Sequence, residues 1–393
     1  MDPQEPRPAP RPGPSSQPGQ YPPPPPHPGA YPPPGPYPPY PQHPQQQWGA
    51  PGPYPQQWGG PGPYPQQYAQ REPRTVEAPS GTPFHRLART AKHRWWRPIA
   101  GTLVLGTLAV TLMWIVTAAW VIAHELLGGP SPQPDGANLF PSDTENLAFN
   151  LVLLGVLTPL VGLVAWIIQR RPFWSVASVL NRIRWRWLLW CSLPALGYVG
   201  LSIVTSIVVD PVFPPEESTG NTDTDGSWVG WAAFVVPALL ILLLVPFQSA
   251  AEEFVFRGWL VQAVGAYGPD SPEGRGGVLR KVFRSPWPGI VVGGVAFISA
   301  HGYTGWAMVD VFLFAVTVGW LTVRTGGLEA AIAVHVTNNL FAFLLPAATG
   351  GLSDWDEQGG APWTLLAADL PCLVFYAYAI TWMARRREIQ RLS

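Results

Sequence analysis

"VGWAAFVVPALLILLLVPFQSAAEEFVFRGWLVQAVG", residues 229–265, is the stretch on which the fold turns. It is apolar for longer than the ~20 residues a helix needs to cross a bilayer. Charge enters it at one place only, with Glu252, Glu253 and Arg257. A charged group near the bilayer centre costs roughly 2.5–3.5 kcal/mol on insertion scales, so three of them in such a run point to function. On a helix, Glu253 and Arg257 are four apart, share a face and can pair. Glu252 lies about 100° further around the axis and has no counter-charge at that spacing. One carboxylate is expected to be compensated, and the other left free to take up a proton.

Further apolar runs lie near 99–123, 147–168, 187–209, 288–304, 307–323, 327–347 and 363–384. The predicted fold class is all-α: a polytopic membrane protein of about eight transmembrane helices over 99–384, with its core at about 228–347. The fifth run is short and opens with "SPWPG", a displaced start because Pro and Gly do not continue a helix. The loops alternate in charge. Arg86, Arg89, Lys92, Arg94 and Arg97 precede the first run, and Glu125, Asp135, Asp143 and Glu145 follow it. Arg170, Arg171, Arg182, Arg184 and Arg186 then give way to Asp210, Glu216, Glu217, Asp223 and Asp225. Arg275, Arg280, Lys281 and Arg284 come next; Arg324, the acids Asp354, Asp356 and Glu357, and the tail "ARRREIQRLS" complete the series. Basic loops favour the cytoplasmic side, so both termini are predicted to be cytoplasmic. "RWWRP" and "RIRWRWLLW" read as interfacial belts.

Residues 1–80 hold 29 of the 50 prolines and repeat "QQWGAPGPYP" as "QQWGGPGPYP". Such a segment buries too little apolar surface to offset its ordering entropy. It is predicted to be a disordered cytoplasmic tail, with a docking partner as its alternative use. Residues 81–98 read as a basic juxtamembrane segment and 385–393 as a basic tail. The formal net charge of zero argues against nucleic acid as a partner. Cys191 and Cys372 sit in separate apolar runs and are expected to be small core residues, not a disulfide.

Two other apolar runs carry polar groups. "AFISAHG" brings His301, and "AIAVHVTNNLFAF" brings His335 and Asn339, four apart on one face, with Asn338 beside them. Singly, each reads as a helix–helix hydrogen-bonding residue. Together, two histidines, a free glutamate and an amide are the parts of a hydrolytic site. Glu252 with His301 can deprotonate a water, and His335 with Asn339 can donate to a developing oxyanion. These residues include no Ser or Cys, so water is the expected nucleophile. Asp310 is expected at the outer interface, and Glu329 as a helix-start acid favoured by the dipole.

These segments resemble the CAAX-protease and bacteriocin-processing (CPBP, Abi-type) intramembrane proteases. The first motif of that family is matched by Glu252, Glu253 and Arg257, the second by Phe297 and His301, the third by His335 and Asn339. The resemblance covers about 228–347. It implies an eight-span fold and hydrolysis of a peptide bond in a membrane-embedded or lipid-anchored, in some members prenylated, protein. It also implies a bacterial plasma membrane as the setting. The roles transferred are catalytic for Glu252, His301, His335 and Asn339, and supporting for Glu253, Arg257, Phe297 and Asn338. The family is described both as metal-dependent and as a glutamate protease. Zinc on Glu252, His301 and His335 is chemically suited, though the three come from separate helices. Two other readings stand beside it: a non-catalytic scaffold or bacteriocin-immunity protein, and a proton-coupled transporter. A transporter would often show related halves, and none are visible.

Overall fold

Seven helices of the computed structural model are long and apolar enough to cross a membrane, and an eighth crossing exists if two helices joined at a bend count as one. The structure describes residues 73–132, 134, 138–212, 226–270, 277–354 and 359–393. Most of the expected tail, 1–72, lies outside the described residues, as do loop charges such as Asp135, Glu216 and Arg275. Among the described residues the chain is almost wholly helical, as the sequence predicts for a multi-pass membrane protein.

Helix α1 (Trp96–Leu126) turns Leu103, Trp114 and Ile115 outward, as a lipid-facing helix must. Helices α2 (Asp143–Gly155) and α3 (Thr158–Ile167) form one span with an interruption. Pro159 explains the break, since it has no N–H to donate and its ring crowds the preceding turn. Ser142 caps α2 by accepting from the Glu145 amide at 3.4 Å. Helix α4 (Trp185–Val212) follows. Helix α5 (Trp231–Glu253) runs through a π-helical stretch, Phe254–Leu260, into α6 (Val261–Gly265) as a single span of 35 residues.

Helix α7 (Gly277–Arg284) meets α8 (Trp287–Ser299) at a bend of 58°, at the Pro-containing "SPWPG". The fifth apolar run is thus shorter than expected. Its helix ends at Ser299 after 13 residues, or about 20 Å, well short of the ~30 Å hydrocarbon core. Helices α9 (Gly305–Thr325) and α10 (Glu329–Thr349) each end on a glycine in the left-handed region, Gly326 at φ 74° and Gly350 at φ 85°. Helix α11 (Trp363–Arg386) closes the bundle.

Helix α10 lies at the centre, packed on α4, α5 and α9. Its buried Ala330, Ala331 and Ala333 let neighbouring backbones approach closely. Tyr376 of α11 donates to the Ala330 carbonyl at 2.6 Å. Glu329 does more than favour the helix dipole. It is fully buried and takes a forked bond from Arg184, which also donates to the Thr325 carbonyl at 3.0 Å. Cys191 and Cys372 are buried and unbridged.

The N-terminal boundaries differ from the expectation. Residues 73–80 are placed rather than loose: the Val76 amide donates to the Arg170 carbonyl at 2.9 Å. The 81–98 segment buries Phe84 and Leu87 in the same core as α3 and α6. Burial of these two apolar side chains explains why a segment that reads as a basic linker is built into the fold. Asp310 is half-buried in α9, with Oδ1 out of contact with solvent and unpartnered among the described residues.

Candidate active site

Small residues set the depth of the site. Along α8, Gly289, Gly293 and Phe297 repeat every four residues and so share one face. A Cβ on Gly289 would come 2.7 Å from the Val261 carbonyl oxygen, and one on Gly293 would come 2.6 Å from that of Phe256. The two helices run antiparallel with backbones nearly touching. Phe297 continues the face, its ring edge-on to Phe256 at 5.2 Å. By the same register Phe297 falls level with Glu252 and Glu253, and His301 follows just past the end of the helix at Ser299. The short α8 is therefore what reconciles two depths that straight, full-length spans would keep apart.

The π-helical stretch begins immediately after Glu253. Such bulges widen the helix and recur at functional sites. Glu253 is fully buried. Its Oε1 accepts from Arg257 Nη1 at 2.9 Å and from His335 Nδ1 at 2.7 Å. The first bond is the pairing that the spacing predicts. The second joins the first motif to the third. Because a carboxylate only accepts, the Nδ1 proton of His335 belongs to that bond, and Nε2 is turned toward Glu252 Oε2 at 3.5 Å.

Glu252 has no counter-charge one turn on, but it has a neutral partner that the sequence reading did not name. Gln248, one turn earlier, donates from Nε2 to Glu252 Oε1 at 2.5 Å. The pairing is by an amide, so no counter-charge could have revealed it. Oε2 of Glu252 is buried and unpartnered among the described residues. Asn339 donates from Nδ2 to Gln248 Oε1 at 3.2 Å and to Ser249 Oγ at 3.3 Å. Gln248 and Ser249 thus belong to the site although no motif named them. The only available signal was two polar residues one turn before a glutamate pair in an apolar run. Asn338 makes none of these bonds.

Phe297 is the hub. Its ring lies under the Arg257 guanidinium at 4.2 Å, 4.5 Å from the His301 ring and 5.8 Å from the His335 ring. His301 donates from Nδ1 to the Phe297 carbonyl at 2.7 Å, which leaves Nε2 as its basic nitrogen. Tyr303 stacks on the other side of His301, ring planes 12° apart. All three motifs therefore converge on one aromatic ring. Among the described residues, no three His, Cys, Asp or Glu side chains form a group able to hold a metal ion. The donor set Glu252, His301 and His335 is not assembled around a common point.

Residues 232–341 match the family described as type II CAAX prenyl endopeptidase Rce1-like. The chain is also 26% identical, over 185 residues, to YyaK, an uncharacterized protein of Bacillus subtilis (strain 168). That alignment covers 47% of this chain and 55% of YyaK, so the chain spans about half the length of the curated relative it matches. No solved structure matches. The resemblance carried by the three motifs holds for the segment that contains them.

Proposed function

We propose that the protein is an intramembrane endopeptidase that hydrolyses a peptide bond of a membrane-embedded or lipid-anchored, in some cases prenylated, substrate. The observation that carries this reading is the pair Glu252 and His335. One carboxylate oxygen is tied to Gln248, and the other is buried, unpartnered and 3.5 Å from an imidazole nitrogen. A water held there has a base on one side and a positioned imidazole on the other. Glu252 takes its proton as the oxygen attacks the substrate carbonyl. His301, with Nε2 free, assists from across Phe297. His335, fixed in orientation by Glu253, offers Nε2–H to the developing oxyanion in its doubly protonated form, and Asn339 joins it by exchanging one of its bonds to Gln248 and Ser249 for the oxyanion. The proton on Glu252 then passes to the departing amine. The family match of residues 232–341 supports peptide-bond cleavage as the reaction class.

The charge alternation of the loops supports a plasma-membrane protein with both ends of the chain in the cytoplasm. A bacterial setting is supported by the likeness to YyaK of Bacillus subtilis. Pairing of Gly81 and Thr82 with Ser393 is compatible with ends on one side. Reporter fusions after residues 90 and 393 test the topology: both are expected to read inside.

The activity test uses the full chain in lipid vesicles with prenylated and unmodified peptide libraries, wild type beside Glu252→Gln. Cleavage by the wild type alone is expected, and it should persist in the presence of a strong zinc chelator. Equal cleavage by both proteins would end the reading, and loss under chelation would call for a metal in the mechanism.

A further inference from the structure

A second buried charge stands apart from the active site, and nothing in the catalytic scheme uses it. Arg171 follows α3 and has no exposed surface. Its guanidinium donates from Nε to Gln169 Oε1 at 2.6 Å, and from Nη1 to Ser175 Oγ at 3.0 Å and to Gln262 Oε1. Every one of these acceptors is neutral. No carboxylate lies within ion-pair distance of it among the described residues. Burial alone pulls its pKa down to about 9, with no nearby charge acting on it. A buried guanidinium without a counter-charge is an unusual arrangement, since buried charges are normally paired.

The unmet bonding capacity there is all of one kind. Nη2 of Arg171 and Nε2 of Gln169 are both buried donors without an acceptor among the described residues. Arg171 lines a cavity of about 410 Å³, together with Ser175, Asn181, Glu77, Ser80 and Ser393. Glu77 does not neutralise Arg171: it is exposed, and its carboxylate accepts from Asn181 Nδ2 at 3.2 Å. The neighbouring backbone is held in a costly shape. Arg170 has φ 58°, a left-handed conformation that non-glycine residues rarely adopt. The Val76 amide, donating to its carbonyl, helps to fix that turn.

Position suggests the source of the missing anion. The cavity lies at the end of the bundle that carries the basic loops, under residues 77–80 and the C-terminal Ser393. Ser393 closes it by accepting from Thr82 and donating to the Pro79 carbonyl. Arg74 stacks over Trp166 at 4.1 Å, and Trp174 is partly exposed nearby in sequence, as expected at a membrane interface. We propose that the Arg171 cavity binds the phosphate of a membrane phospholipid head group. The donors left for one phosphate are Nη2 of Arg171, with both of its hydrogens, and Nε2 of Gln169, and the guanidinium charge suits a phosphate partner. Gln262, bonded to Arg171, lies on the same continuous helix as Glu252, so an occupied cavity also braces the helix that bears the active-site carboxylates.

The test uses the full chain, purified in a neutral detergent and stripped of lipid, with thermal unfolding as the readout. Dispersed phosphatidylglycerol is compared with diacylglycerol, which lacks the phosphate, and with inorganic phosphate. A saturable rise in Tm is expected with phosphatidylglycerol and none with diacylglycerol. A matching rise with inorganic phosphate supports the same chemistry with a soluble source. Arg171→Gln is expected to raise the half-saturating concentration at least tenfold. Should that variant fail to fold, Asn181→Asp places a second carboxylate at the rim and is expected to weaken binding in the same direction. Absence of any rise in the wild type, or an unchanged half-saturation in the folded variants, overturns the proposal.

Discussion

One oxygen of Glu253 serves both Arg257, at 2.9 Å, and His335, at 2.7 Å, so a single buried carboxylate holds the first and third motifs together. The two adjacent glutamates thereby divide: Glu253 is tied to a neighbour on each side, whereas Glu252 keeps one oxygen unpartnered among the described residues.

Glu252→Gln keeps the side-chain volume and cannot accept a proton. It is expected to abolish cleavage while leaving thermal stability in lipid close to wild type. Glu253→Gln strands Arg257, which is itself almost fully buried. Breaking a buried pair from one side costs about 3–5 kcal/mol, so this variant should melt early and lose activity together. Unfolding and single-turnover cleavage measured on both proteins decide the matter; a reversed pattern would exchange the two roles.

Gln248 is expected to act as a positioning residue. It holds Glu252 through one end of its amide and Asn339 through the other. Gln248→Leu should lower kcat by about 10-fold or more with little change in KM, and shift the pH profile of kcat because Glu252 loses its donor. Adding Asn339→Ala should cost little further, since members of one unit are non-additive. Multiplying losses in the double variant would show that the two side chains act separately.

The contact between α8 and the π-helical stretch gives a sharp steric test. A methyl group on Gly293 would meet the Phe256 carbonyl at 2.6 Å, whereas on Gly294 the nearest atom is in the Phe312 ring at 3.1 Å. Backbone cannot yield as a ring can. Gly293→Ala should cost about 1–3 kcal/mol and displace Phe297 and His301, with a large fall in turnover. Gly294→Ala should be milder on both counts, and equal effects in a melting and cleavage assay would refute the close-packing account.

His85 sets a pH dependence outside the active site. It is buried near the end of α7, donating from Nε2 to the Arg284 carbonyl at 3.1 Å. Burial, with the nearby arginines adding to it, pushes its pKa down to about 4 from the ordinary 6.5 or so. Between these values the unfolded segment binds a proton that the folded one refuses, so stability rises with pH across the window. The contribution is complete above about pH 6.5 and is lost as pH falls toward 4. Protection of the amides of residues 84–87, measured against the intrinsic exchange rate at each pH, should therefore fall on acidification from pH 7 to pH 4. His85→Asn, which cannot titrate, should flatten that response, and an unchanged slope would mean that other groups control it.

The apolar runs, the alternating loop charges and the Glu253–Arg257 pairing were determined by the sequence alone. Each depends on local quantities: hydropathy over a span, net charge over a loop, and the four-residue period of a helix. The three motifs were legible for the same reason, because each lies within a few turns of one helix. Tertiary structure decided the rest. The hydrogen bond from Gln248 to Glu252 was hidden because an amide next to a carboxylate leaves no charge pattern to read. The length of α8 was hidden because the hydropathy of the run extends over 288–304, whereas the helix itself ends at Ser299, ahead of His301 and Gly302. The partner of Glu329 was hidden because Arg184 is far away in sequence. Arg171 read as one more basic loop residue, and only the fold shows it buried. Which polar groups meet across helices depends on register and depth, and those are fixed by close contacts such as Gly289 on Val261 and Gly293 on Phe256, between residues that no local period relates.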